Sequence, residues 1–182
     1  MTTYIALLRG INLGSRNKIA MAELRELLAS LGHGDVRTHI LSGNAIFTSS
    51  TRGAAKLATE IEGAIDHRFH LGIRVVIRTR DELAAIVKAN PLEEATRDPS
   101  RYYAVFLDAN PKREVIDAID PAAFEPEQFR FGDRVVYAWY RNGMQKSRLA
   151  GALSDRRLGV TTTARNWNTV TKLLSLASEV SQ

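Results

Sequence analysis

Apolar residues fall into two recurring patterns along this chain, one of helical and one of strand spacing. Tyr4–Arg9 is a short apolar run that predicts a strand, followed by a loop over Gly10–Lys18. Met21, Leu24, Leu27, Leu28 and Leu31 recur at helical spacing until Gly32 and Gly34 end the pattern. Val36–Leu41 and Ala45–Ser49 read as strands around Ser42, Gly43 and Asn44, a hairpin signal. Ala54–Phe69 puts Leu57, Ile61 and Ile65 on one helical face, and Ile73, Val75 and Ile77 alternate as a further strand. The order is βαββαβ.

The second half repeats it. Tyr102–Leu107 predicts a strand and Pro111–Ile119 a helix opened by proline. Glu127–Phe131 and Arg134–Tyr140 flank Gly132 and Asp133 as a hairpin. Lys146–Leu158 predicts a helix, Val160–Thr163 a short last strand, and Asn168–Ala177 a terminal helix. Glu82–Ala89 predicts a bridging helix, and polar Glu93–Ser100 with Pro99 a hinge. The fold class expected is α+β: two tandem ferredoxin-like units with antiparallel sheets, plus a C-terminal helix. Residues 1–80 form the first unit, 81–100 the link, and 101–182 the second unit with its helix.

Topology says which loops should meet. With right-handed crossovers the third strand lies antiparallel between the first two. Gly10–Lys18 should therefore neighbour Ser42–Asn44, and Arg141–Arg148 should lie beside Thr163–Asn168. Thr161–Lys172 concentrates hydroxyls, amides, Arg165 and Trp167 where the last helix is predicted to begin. A helix start favours an anion, so Lys146, Ser147, Arg148, Arg165, Asn166 and Asn168 form one candidate anion site. The glycine loop, with Arg9, Gly10, Asn12 and Gly14, and the turn, with Ser42 and Asn44, form another. Each feature also has a structural explanation: a turn at residues 42–44, a helix cap for one asparagine, a core anchor for Trp167.

Composition adds modest weight to the anion reading. The net charge is +5, and the cations are mainly arginine spread along the chain, as an ordinary solvated surface would have them. There is no cysteine, so thiol chemistry is excluded, which fits a cytoplasmic protein. No apolar run reaches the roughly 20 residues of a membrane span, so no membrane partner is expected. Gly10–Gly14 matches neither the dinucleotide nor the Walker phosphate pattern. His67 and His70 share a helical face without a third ligand, so no metal and no cofactor is expected.

Tyr102, Phe106, Tyr137 and Trp139 align as an aromatic sheet face. Two roles are open to it: stacking single-stranded bases, or burial against the other lobe or a second copy. The RNA-recognition signature is missing.

Three segments carry a family resemblance. They are residues 7–14 (LLRGINLG) with Asn17, Lys18 and residues 21–25 (MAELR), then residues 42–47 (SGNAIF). The third is residues 146–149 (KSRL) followed by residues 163–169 (TARNWNT), Lys172 and Leu173. Together they resemble the bacterial family known as domain of unknown function 1697. The resemblance implies an α/β protein of this length with ferredoxin-like elements and no established activity. It marks Arg9, Gly10, Asn12, Gly14, Ser42, Gly43, Asn44, Lys146, Ser147, Arg165, Asn166, Trp167 and Thr169 as pattern residues. Ser15 departs from a second glycine, and Arg148 from a lysine.

Three functions are compatible with this sequence. The first is binding of a phosphate-bearing ligand: a nucleotide, a phosphorylated metabolite or a nucleic acid. The second is an enzyme acting on a small anionic substrate. The third is an interaction module or homodimer that uses the aromatic sheet face.

Overall fold

Strand β1 (Thr2–Leu8) is buried at every position from Thr3 onward, so its backbone groups must find partners on both sides. They do so in β3 (Asn44–Ser49) and β4 (Val75–Thr79), both antiparallel to it. Strand β2 (Gly34–His39) pairs antiparallel with β3, which gives the order β2-β3-β1-β4. A computed structural model of the 182-residue chain describes residues 1–180. The chain divides into two compact units, Met1–Ala84 with the described residues from Lys172 onward, and Ala85–Thr171.

In the first unit helices α1 (Met21–Ser30) and α2 (Ala54–Phe69) bury one face each. Leu24, Leu27 and Leu28 of α1 and Leu57, Ile61 and Ile65 of α2 close over Tyr4, Ala6, Leu8 and Phe47. Helix α3 (Arg80–Lys88) follows β4.

The second unit repeats the arrangement of strands. β5 (Tyr102–Leu107) lies between β7 (Val135–Trp139) and β8 (Thr162–Asn166), with β6 (Gln128–Gly132) outside β7. All neighbours are antiparallel. Its helices are short: α4 (Arg113–Asp117), α5 (Arg148–Ala152) and α6 (Asp155–Leu158). Leu149, Leu153 and Leu158 cover Val105, Leu107, Val136 and Ala138. The C-terminal helix α7 (Trp167–Val180) completes a mixed α+β chain with two four-stranded antiparallel sheets.

Elements of the second unit differ from the reading of the sequence, and the helix expected over Pro111–Ile119 shortens to Arg113–Asp117. The helix expected over Lys146–Leu158 is broken, because Ser147 and Ser154 both adopt extended backbone. Ser147 Oγ accepts from the Ala150 N–H, and Ser154 Oγ donates to the Gly151 carbonyl, so serine hydroxyls replace the helical ladder. The last strand runs past Thr163 to Asn166, because Arg165 and Asn166 still pair with Ala104 and Tyr103. Sheet pairing overrides their weak strand propensity.

One buried titratable group makes the first unit pH-sensitive. His33 stacks on Phe47 at 4.6 Å between ring centroids, with Nε2 3.7 Å from a Glu60 carboxylate oxygen. Burial lowers its pKa from 6.5, opposed in lesser measure by Glu60. Below 6.5 the unfolded chain takes up a proton that the folded chain resists, so stability is full above that pH and falls as pH drops. Urea denaturation at mildly alkaline and mildly acid pH should therefore show acid destabilisation. The loss should be smaller in His33→Gln; an equal loss would mean that other groups carry it.

Candidate functional site

The glycine loop and the β2–β3 turn do meet, and side-chain amides join them. Asn12 Nδ2 donates to the carbonyls of Ile19 and Leu41 at 2.9 and 2.8 Å, while its Oδ1 accepts from the Ile19 N–H. Asn17 Nδ2 donates to the Gly10 carbonyl, and Asn44 Nδ2 to the His39 carbonyl and Ser42 Oγ. The Leu8 N–H closes on the Gly43 carbonyl at 2.8 Å. Gly10, Gly14 and Gly43 all have positive φ. At Gly43 a Cβ would meet Leu8 and Ile11 at 2.8 Å, so the turn is pressed against the core. These amides are spent mainly on backbone groups. Arg9, Arg16 and Lys18 are exposed around them.

Arg165 lies on β8 rather than at a helix start, opposite Ala104. Its side chain is buried, and Nη1 donates to Thr163 Oγ1 at 2.8 Å and to the Ala164 carbonyl. Burial pulls its pKa down to about 10, which leaves it protonated at neutral pH. Asn166 Oδ1 accepts from the Thr169 N–H and caps α7. Trp167 is buried 4.8 Å from Tyr102 and 6.3 Å from Tyr137 between ring centroids. Asn168 is exposed.

Lys146, Ser147 and Arg148 sit on the β6 side of the second sheet, whereas Arg165 is on β8 at the other edge. The expected pairing of Arg165 with Lys146 is therefore not formed. Ser147 Oγ donates to a Glu127 carboxylate at 2.8 Å, and Arg141 stands over the Trp139 ring at 4.9 Å. The aromatic face is not open either: Tyr102, Phe106 and Tyr137 are buried.

What this side of the unit does form is a cavity of about 870 Å³ walled by α4 and the following turn on one side and by α5 and α6 on the other. Val115, Ile119, Phe124 and Ala152 give it an apolar floor, Arg148 and Arg157 a cationic wall, and Glu114 and Asp120 an acidic one. A smaller cavity of about 170 Å³ adjoins it, sharing Phe124 and Arg148 and adding Asn142, Lys146 and Ser147. Lys146, Arg148 and Arg157 make no ion pair with any described residue. Sequence reasoning missed Arg157, Glu114 and Asp120, since nothing in their spacing distinguishes them from solvated surface charges. No cluster of His, Asp and Glu suited to a metal occurs among the described residues, and no helix among them is long and apolar enough to cross a membrane.

The two sheets and this groove define a mixed α+β protein whose second unit carries a charged, apolar-floored cavity. The chain belongs to the family described as protein of unknown function (DUF1697), whose profile matches residues 1–137. The first two motif segments fall inside that match, and residues 146–173 lie beyond it. The chain is also similar in fold to a conserved bacterial protein from Streptococcus pneumoniae, at 24% identity and a TM-score of 0.74. That likeness covers 97% of this chain and 98% of the other. No curated protein matches the sequence.

The amide clamps predict a structural penalty. Asn12→Ala should lower unfolding free energy by about 1 kcal/mol, the cost of losing hydrogen bonds to part-buried and exposed backbone groups. Chemical denaturation would measure it; a loss below a few tenths of a kcal/mol would mean that water replaces the clamp.

Proposed function

We propose that the chain is a binding module for a small molecule that carries a phosphate or carboxylate beside an apolar body. The groove between α4 and α5–α6 receives it. The observation that carries this reading is the pair Arg148 and Arg157, two guanidinium groups without ion-pair partners among the described residues, above an apolar floor. A guanidinium presents paired N–H donors that match carboxylate or phosphate geometry. The cavity volume lies in the range that small-molecule sites occupy, roughly 300–1,000 Å³. Phosphorylated metabolites and nucleotides fit the same description, with Phe124 available to a ring.

Binding is favoured over catalysis because the groove offers no buried proton-transfer group. Its carboxylates, Glu114 and Asp120, are exposed, and no histidine lines it. A nucleic-acid role loses its stacking platform with the burial of Tyr102, Phe106 and Tyr137. We also read both units as ferredoxin-like. The orders β2-β3-β1-β4 and β6-β7-β5-β8, each with its third strand between the first two, support that reading.

A thermal-shift screen with nucleoside monophosphates, sugar phosphates and short carboxylates tests the proposal. Some of these should raise the melting temperature. Arg148→Ala and Arg157→Ala should each weaken the best binder about tenfold, the loss expected of one charged hydrogen bond. Arg16→Ala and Lys18→Ala should leave affinity unchanged; dependence on that pair instead would move the site to the glycine loop.

A further inference from the structure

The charges that line the groove are sorted by sign. Glu114 belongs to α4 and Asp120 precedes the 3₁₀ turn Pro121–Phe124, whereas Arg148 belongs to α5 and Arg157 to α6. These four are the charged residues of the lining, and Val115, Ile119, Phe124 and Ala152 line the groove with them. Long arginine side chains within reach of a carboxylate gain by closing on it, as Arg113 does on Asp117 within α4 at 2.9 Å. No such closure links the two walls among the described residues: none of the four charges has an ion pair. Asp120 is meanwhile held in place, since its Oδ1 accepts from the Ala122 N–H at 3.0 Å. A carboxylate has lone pairs to spare after one such bond, and the second oxygen remains available to a donor.

Two sets of opposite charge that do not pair with each other match a ligand with opposite charges at its two ends. We infer that the groove selects zwitterions: an anionic group docks on Arg148 and Arg157, an ammonium group docks on Glu114 and Asp120, and an apolar spacer lies on Val115, Ile119 and Phe124. This inference rests on the anion-binding reading and adds a second point of recognition to it. A purely anionic ligand would find the acidic wall repulsive or neutral, so the wall acts as a specificity element.

Matched probe pairs separate the two claims. Aminohexanoic acid against hexanoic acid, and phosphoethanolamine against ethyl phosphate, differ only by the amine. Calorimetric titration of the full chain should give the amine-bearing member of each pair the higher affinity, by about two- to fivefold for an exposed charge pair. The double variant Glu114→Gln with Asp120→Asn should abolish that preference while it retains hexanoic acid or ethyl phosphate. Arg157→Ala should weaken both members of each pair. Equal binding of both members by the unaltered chain would overturn the zwitterion inference and leave the anion site standing. Failure of all four probes to bind would overturn both. A preference that survives the double variant would place the ammonium elsewhere and overturn the assignment of the acidic wall. The comparison within the unaltered chain needs no variant, and circular dichroism of the double variant checks that it folds.

Discussion

Strands β1 and β5 are buried along nearly their whole length, and a buried strand can satisfy its N–H and C=O groups only in neighbouring strands. That constraint fixes β3 and β4 on either side of β1, and β7 and β8 on either side of β5. It also fixes which loops share an edge, and so brings the glycine loop against the β2–β3 turn. The two units then diverge in how helices finish the job. In the first, α1 and α2 run for 10 and 16 residues and close the core. In the second, α4, α5 and α6 run for only 5, 5 and 4, and Val115, Ile119 and Phe124 stay half-buried. The groove is what short helices leave uncovered.

Much of this architecture was legible in the residues. Ala54–Phe69 and Tyr102–Leu107 have the boundaries that periodicity assigns them, because apolar spacing and packing point the same way there. Legibility failed where side-chain hydrogen bonds compete with backbone ladders. Ser147 and Ser154 interrupt an apolar pattern that continues through them. Arg165 and Asn166 lie in a strand although neither favours one, since their pairing with β5 is a long-range fact that local propensity does not contain.

The candidate site was legible in part. Topology correctly joined Asn12 to the turn, and the structure then gave that asparagine a holding role. Arg148 was singled out from the sequence, but its partner in the groove was not Arg165. Arg157 sits in a four-residue helix, too short for any periodic signal. The groove depends on the approach of α4 to α6, and spacing along the chain does not report it. The motif residues Asn12, Asn44 and Asn166 fix loops and a helix end, and of the charges that line the groove only Arg148 lies within a motif.

The central claim is that ligand recognition belongs to the second unit's groove. Amide chemical-shift mapping by NMR, with ethyl phosphate titrated into the isotope-labelled chain, tests it most directly. The account predicts that the largest shifts cluster over residues 114–124 and 148–157, with little change over residues 10–18 and 42–44. Shifts concentrated in the glycine loop and its neighbouring turn, or along residues 163–168, would contradict it.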